Sequence, residues 1–299
     1  MSKKRKTTDE HRMNTYEDRQ AEAGTKYIER YGREQSLFSW STSGFRLCLS
    51  VSICGFCLLS AAAQNSDTPA VMRIELKTGK QSFHALQFQP TGKGPFPAVV
   101  IVHGEFGLTD WTRQQAVRLA KKGYLVLAID LYDGELPKTI EEAHILERGL
   151  DERRVVAQAQ AAIGYLERLP LVRKEAIGIL GWDAGGGYAL DVAIRDKRLK
   201  AAVTCYGRLT TDAKQLAAME ARVLAIFGGK DEGIPPDTIA QFQKAMQQAG
   251  KALTVQVYPK CGHGFMDSTS PYLEGPPDQA AIADAWAKID AHLERTLQR

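Results

Sequence analysis

The residues best suited to chemistry lie in a short glycine-rich stretch, Gly181-Trp182-Asp183-Ala184-Gly185. An apolar run over residues 176–180 precedes this stretch, and a helical pattern over 184–194 follows the turn. The spacing is that of a nucleophile elbow, G-x-Nuc-x-G, in which a sharp strand-to-helix turn presents the central side chain. The flanking glycines let the chain turn without a Cβ clash, and the helix start favours a negative charge. Serine or cysteine is expected at the centre, whereas this chain has Asp183.

Further polar groups follow other predicted strands. Glu105 and Phe106 come after the third strand, Asp231 after the seventh and His263 after the eighth. In a mostly parallel sheet the carboxyl ends of the strands share one edge, where functional side chains collect. The order nucleophile, acid, histidine along the chain is that of an α/β-hydrolase triad. The sequence therefore predicts a site made of Asp183, Asp231 and His263, with Glu105 and Phe106 beside it.

Some of these polar residues also have structural interpretations. Asp231 could cap the helix that is expected after Pro235, and Glu105 could be a solvated loop carboxylate. His103 ends a buried strand, and we interpret it as structural rather than catalytic.

The elements that must position these residues alternate between strand and helix. Residues 71–76 and 83–89 alternate as a half-buried hairpin does, while the apolar runs 98–103 and 124–129 are typical of strands buried on both faces. The remaining predicted strands cover 176–180, 199–205, 222–227 and 253–258, and the other predicted helices cover 111–122, 141–169 and 278–297. Such alternation predicts an α/β protein with a mostly parallel eight-stranded sheet and helices on both faces, as one domain over 71–299.

Five motifs resemble those of the dienelactone hydrolase family of α/β-hydrolases. They are HGEFGL at 103–108, AIDLY at 128–132, GWDAGG at 181–186, GGKD at 228–231 and YPKCGHGF at 258–265. Together they cover nearly the whole chain from about residue 70 onward. The resemblance implies the α/β-hydrolase fold and hydrolysis of lactones or esters by a cysteine or serine nucleophile, an aspartate and a histidine. It also implies that no metal or organic cofactor is needed.

Carried over by position, the resemblance implies a role for each matching residue. His263 would be the general base, and Asp231 would accept its other ring N–H and fix the tautomer. The backbone N–H of Ala184, with a second one near Glu105 or Phe106, would stabilise an oxyanion. Glu105 matches a family position where a glutamate contacts the nucleophile and influences its ionisation.

Asp183 departs from the family pattern at the nucleophile, and three interpretations stay open. In one, Asp183 attacks saturated carbon and water activated by His263 hydrolyses the resulting ester, as elbow aspartates do in haloalkane dehalogenases and epoxide hydrolases. In another, the chain hydrolyses a small ester, lactone or related substrate with Asp183 and His263 as acid–base partners acting on water. In the third, it is a non-catalytic pseudo-hydrolase that binds a ligand or a partner.

The N-terminal quarter of the chain has a different composition. Residues 1–46 are polar and predict a disordered or mis-started extension, and residues 64–70 predict a linker. Residues 47–63 are apolar and end in alanines, which is typical of a signal peptide and predicts export to the periplasm or the cell exterior. A membrane anchor is the alternative, although the run is short for a span.

The overall composition limits the class of partner. A net charge of +4, with 44% hydrophobic and 25% charged residues, is ordinary for a soluble globular protein. No basic stripe with interleaved aromatic residues is present, so we expect no nucleic-acid partner. We predict a small-molecule substrate, no metal site, and no stable membrane partner after signal cleavage.

Overall fold

The computed structural model describes residues 69–273 and 275–298. The predictions for 1–46, 47–63 and the linker up to residue 68 lie outside the described residues, and export stays a prediction. The strands are β1 (Ala70–Thr78), β2 (Gln81–Gln89), β3 (Phe96–Val102), β4 (Leu125–Asp130), β5 (Val172–Trp182), β6 (Leu199–Cys205), β7 (Arg222–Gly228) and β8 (Leu253–Tyr258). The helices are α1 (Asp110–Lys121), α2 (Ile140–Arg148), α3 (Glu152–Arg168), α4 (Ala184–Arg195), α5 (Ala213–Leu216), α6 (Pro236–Gln248) and α7 (Gln279–Leu297).

The strands form one eight-stranded sheet in the order β1-β2-β4-β3-β5-β6-β7-β8. β1 and β2 form an antiparallel hairpin, β2 pairs antiparallel with β4, and the remaining neighbours are parallel. The central strands are apolar because both of their faces are covered; Val99, Val100 and Ile101 in β3 have no exposed surface. The predicted mostly parallel α/β sheet is confirmed.

The order of the strands reverses at β3, and this reversal creates the crevice in which the site lies. From β3 the chain passes through α1 to β4 on one side, whereas from β5 it passes through α4 to β6 on the other. Right-handed crossovers in opposite directions place α1 and α4 on opposite faces of the sheet. The loops after β3 and β5 therefore separate, and ligands of such sheets bind in the gap between them.

The helical stretch predicted over 141–169 is two helices with a break between them. Gly149 ends α2, and the Asp151 carboxylate caps α3 by accepting a hydrogen bond from the Arg153 backbone N–H (2.9 Å). α3 is amphipathic and packs against the sheet and α4 through apolar residues at helical spacing. α2 buries only Ala143, which leaves it as a separate short helix near the crevice. Among the described residues, no helix is long and apolar enough to cross a membrane.

Candidate active site

The turn between β5 and α4 holds Asp183 in a backbone conformation that side chains rarely adopt, with φ of 53° and ψ of −126°. The surrounding backbone is packed too closely for any side chain. A Cβ on Gly181 would lie 2.0 Å from the carbonyl oxygen of Gly185, and one on Gly185 would lie 2.2 Å from that of His103. The Asp183 N–H donates to the Cys205 carbonyl at the end of β6 (2.9 Å). Glycines at these positions are therefore required for the elbow to form.

His263 lies between two carboxylates. Its Nε2 is 2.9 Å from Asp183 Oδ1, and its Nδ1 is 2.8 Å from Asp231 Oδ2. The Asp231 side chain is only 1% exposed, and its Oδ1 accepts a hydrogen bond from the Gly233 N–H (2.9 Å). It does not cap α6, whose first turn has no side-chain cap. The structure thus brings the three residues that the sequence singles out into one hydrogen-bonded line.

The second carboxylate oxygen of Asp183 is hydrogen-bonded to a backbone N–H. Asp183 Oδ2 accepts a hydrogen bond from the Glu105 backbone N–H (3.1 Å) in the loop after β3. The sequence predicts that an N–H near Glu105 or Phe106 stabilises an oxyanion, and in the resting site this N–H binds the nucleophile position itself. Ala184 is the first residue of α4, directly after Asp183.

The two carboxylates determine the charge of His263. Because both ring nitrogens face carboxylate oxygens at hydrogen-bond distance, both nitrogens carry protons when the two acids are ionised. Burial lowers the pKa of His263, but the hydrogen bonds and charges of Asp183 and Asp231 outweigh that effect and raise its pKa to about 10. His263 is therefore a cation at neutral pH in the resting site.

Glu105 is buried rather than solvated, with 4% of its surface exposed. Its Oε2 lies 3.5 Å from His144 Nε2 on α2, and Tyr272 OH lies 3.3 Å from the same nitrogen. Burial raises the pKa of Glu105; the nearby Tyr272 hydroxyl acts in the opposite direction, and the charge of Asp183 raises the pKa further. Glu105 therefore takes up a proton more readily than a solvated glutamate does.

A small, half-open cavity lies beside Asp183 and His263. Its wall is formed by the loop after β3, the start of α1, the elbow and the segment after His263. The lining residues are Gly104, Glu105, Phe106, Gly107, Thr109, Trp111, Thr112, Trp182, Asp183, Tyr206, His263, Gly264, Asp267, Ser270 and Tyr272. Among the described residues, no lysine or arginine belongs to this lining, and the rings of Phe106 and Tyr272 lie 6.2 Å apart between their centroids. The cavity is therefore small, aromatic and lacking in permanent cations.

Comparison with known proteins identifies the family. The model of the dienelactone hydrolase family matches residues 83–297. The chain belongs to the dienelactone hydrolase family.

Individual relatives in the dienelactone hydrolase family cover most of the chain. A Bradyrhizobium protein, named provisionally as a 2-oxo-3-(5-oxofuran-2-ylidene)propanoate lactonase, is 32% identical over 213 residues, which are 67% of this chain and 86% of the relative. A Methylorubrum extorquens protein, named provisionally as a carboxymethylenebutenolidase, is 29% identical over 277 residues, or 85% and 94% of the two chains. A crystal structure from Klebsiella pneumoniae, provisionally a dienelactone hydrolase, has the same fold with a TM-score of 0.66 at 24% identity, covering 75% of this chain and 98% of that one.

These similarities confirm the predicted family, the fold and the class of enzyme, a hydrolase. The catalytic roles of Asp183, Asp231 and His263 stay predictions, as do those of Glu105, Phe106 and Ala184.

Two residues near the candidate site, His144 and Tyr272, carry no signal in the sequence, and a third residue near it, His103, is structural. His144 and Tyr272 contact each other and lie beside Glu105, but neither belongs to a motif, and their separation along the chain hides the contact. His103 is structural, as interpreted: its Nε2 accepts a hydrogen bond from the Leu131 N–H (3.0 Å) and its Nδ1 lies 2.7 Å from the Gly104 carbonyl oxygen. Burial lowers the pKa of His103, which keeps its ring neutral.

Proposed function

We propose that this chain is a hydrolase of a small, uncharged substrate, in which Asp183 is a covalent nucleophile at saturated carbon and His263 and Asp231 complete the site. The observation that supports this proposal is that the two carboxylate oxygens of Asp183 contact different partners. Oδ2 is bound to the Glu105 N–H (3.1 Å), while Oδ1 lies against His263 beside the cavity (2.9 Å).

In the first step Asp183 Oδ1 attacks a carbon that bears a leaving group, the bond to that group breaks, and an alkyl ester forms on Asp183. Carboxylates act as nucleophiles in this way in other enzymes. The start of α4 and the His263 cation both favour an ionised Asp183. Attack on an ester carbonyl would instead give a mixed anhydride, which is no easier to form than the product. The site therefore suits displacement better than acyl transfer.

The second step uses the same groups in changed protonation states. Esterification removes the negative charge of Asp183, so only Asp231 remains to hold the proton on His263, and the pKa of His263 falls. His263 then releases its proton to solvent, and the neutral ring takes a proton from water as the water attacks the carbonyl carbon of the Asp183 ester. The developing negative charge falls on Asp183 Oδ2, where the Glu105 N–H already donates. The alcohol leaves with the proton that His263 took from the water, the second proton of the water passes to His263, and Asp183 returns as a carboxylate. The substrate and one water thus give an alcohol and the protonated leaving group.

The charge of the cavity wall supports an uncharged substrate. The lining carries the carboxyl groups of Glu105, Asp183 and Asp267, with His263 as its cation, and no lysine or arginine among the described residues. An anionic substrate would lose its hydration and meet like charges, which disfavours binding. The Bradyrhizobium relative is named for a propanoate, an anion, so we propose that this chain differs from it in the charge of the substrate.

Hydrolysis of a small ester or lactone is the second candidate, and the lactonase name of that 32% identical relative favours it. In this mechanism water would attack the substrate directly, with Asp183 and His263 as acid–base partners. His263 would then have to accept a proton while it lies between two carboxylates, which hold it in the protonated form.

Isotope labelling distinguishes the two candidates. We expect wild-type protein turning over neutral alkyl halides or epoxides in H₂¹⁸O to incorporate ¹⁸O into Asp183, read by mass spectrometry of the tryptic peptide 175–195. His263→Asn should instead accumulate the alkyl adduct on that peptide, and Asp183→Asn is the control that should show neither. Turnover of neutral lactones without label in Asp183 would favour direct attack by water. No adduct and no turnover on either panel would leave the binding-only pseudo-hydrolase as the function.

A further inference from the structure

Glu105 has a carboxyl oxygen without a partner. Its Oε1 is buried, and among the described residues no group forms a hydrogen bond with it. The residue as a whole is 4% exposed and lines the cavity together with Asp183. An unpaired buried polar atom costs about 1–3 kcal/mol, so such atoms are rare and call for an explanation. A substrate atom in the cavity would supply the missing partner.

Burial and the neighbouring carboxyl groups favour the protonated form of Glu105. Burial, Asp183 on the elbow and Glu147 on α2 raise its pKa, whereas Tyr272 and His144 lower it. Asp183 has His263 as its counter-ion at 2.9 Å, whereas the His144 ring is 3.5 Å from Glu105 and 45% exposed. Two carboxyl groups in one buried space do not both ionise readily, and the one with the weaker partner retains the proton. Glu105 is therefore the carboxyl group of the cavity that is suited to hold a proton and donate it.

Solvent can return the proton through α2. Glu105 Oε2, His144 Nε2 and Tyr272 OH form a contiguous polar cluster, with the two contacts to His144 at 3.5 Å and 3.3 Å. Because the His144 side chain is partly exposed, it connects the buried carboxyl group to water. The cluster thus provides a path by which a proton from water can replace the one that Glu105 donates.

We propose that Glu105 is the acid that protonates the leaving group, an inference that rests on the proposed covalent function. As Asp183 Oδ1 bonds to carbon, the carbon–leaving-group bond breaks with its electron pair, and the leaving atom takes the proton from the Glu105 carboxyl group. Glu105 becomes a carboxylate and is reprotonated from solvent. This acid matters for a poor leaving group, such as the oxygen of an epoxide, and not for a halide, which leaves without a proton. The substrate class that the site selects is therefore the neutral epoxide or a comparable alkyl–oxygen electrophile.

A comparison of leaving groups tests the role of Glu105. Glu105→Gln has nearly the same shape and no acidic proton. In single turnovers followed by adduct formation on peptide 175–195, we expect Glu105→Gln to slow alkylation by a neutral epoxide at least ~100-fold, the usual contribution of general acid catalysis, and alkylation by a neutral alkyl bromide less than ~3-fold. Glu220→Gln is the matched control, because it makes the same exchange at an exposed carboxylate that does not line the cavity. It should change both rates by the same small factor.

The possible results separate this inference from the proposed function. Equal slowing with both substrates in a folded Glu105→Gln protein would show that Glu105 only positions Asp183, and no slowing would show that it has no part in the step; either overturns the inference alone. Absence of adduct in the wild type with both substrates overturns the covalent function and the inference together. If Glu105→Gln does not fold, infrared spectroscopy of the wild type decides, because a protonated carboxyl group near neutral pH supports the inference and a spectrum with only carboxylates contradicts it.

Discussion

The titration of His263 is the most direct measure of how its two carboxylates act together. Contacts with Asp183 Oδ1 and Asp231 Oδ2 at 2.9 Å and 2.8 Å raise its pKa to about 10, against the opposing effect of burial. Asp183→Asn keeps the shape of the side chain and removes one of the two charges. We expect the pKa of His263 in this variant to be lower by about 1–3 units, the usual effect of an opposite charge at this distance.

The same shift makes the stability of the folded protein depend on pH. The pKa of His263 is higher in the folded protein than the value of about 6.5 in the unfolded chain, so its protonation stabilises the fold. This stabilisation is complete below about pH 6.5 and is lost as the pH rises toward 10. One unit of pKa corresponds to about 1.4 kcal/mol, so the loss between about pH 7 and about pH 10 is on the order of 3 kcal/mol. The free energy of unfolding of Asp183→Asn should fall by less over the same pH range.

Two measurements test this prediction. Carbon-detected NMR of the histidine Cε1 signals, with His263 assigned from a His263→Gln variant, gives the pKa directly. Urea denaturation at several pH values gives the free energy of unfolding, and the difference from Asp183→Asn removes the contribution of other groups that titrate in alkali. A wild-type pKa near 6.5, or the same pKa in both proteins, would refute the idea that His263 is held as a cation between two acids.

Further variants test the nucleophile, the acid and the elbow. Asp183→Cys should gain hydrolysis of a neutral p-nitrophenyl ester, at least ~10²-fold above the parent by nitrophenolate release, because a thiolate attacks carbonyl carbon well; no gain would contradict the triad. Asp231→Asn should leave alkylation within ~10-fold but slow hydrolysis of the adduct ~10³-fold or more, so that mass spectrometry shows the adduct accumulating. Gly185→Ala, whose Cβ would lie 2.2 Å from a backbone oxygen, should lower the free energy of unfolding in urea by more than about 3 kcal/mol. Gly187→Ala, with its nearest atom at 3.2 Å, should change the same free energy by less than about 1 kcal/mol; similar losses in both would contradict the close-packing argument.

Much of the fold and the central line of the site follow from the sequence, because both depend on local signals. Buried strands appear as continuous apolar runs, and their carboxyl ends share one edge of the sheet. Asp183, Asp231 and His263 therefore had to lie near one another once the alternation of strands and helices was recognised. The elbow glycines specify the turn, since the backbone there leaves no room for a Cβ.

The rest of the site depends on packing that no local pattern encodes. The break after Gly149 makes α2 a separate helix, and this places His144 against Glu105 rather than on the continuation of α3. Tyr272 reaches the same cluster from an irregular segment without periodicity. The hydrogen bond from the Glu105 N–H to Asp183 Oδ2 likewise depends on the length of the aspartate side chain. The sequence does not indicate that the two oxygens of Asp183 contact different partners.

The crowded glycines of the elbow also bear on how this family diversifies. The backbone of the turn is fixed by contacts between main-chain atoms, such as those of Gly181 with Gly185 and of Gly185 with His103, and none of these contacts involves the side chain at 183. The backbone conformation of the turn therefore does not depend on which side chain stands at position 183. We therefore expect an exchange of the side chain at 183 to leave the elbow backbone, His263 and Asp231 in position, so that the reacting group can change while the fold is kept.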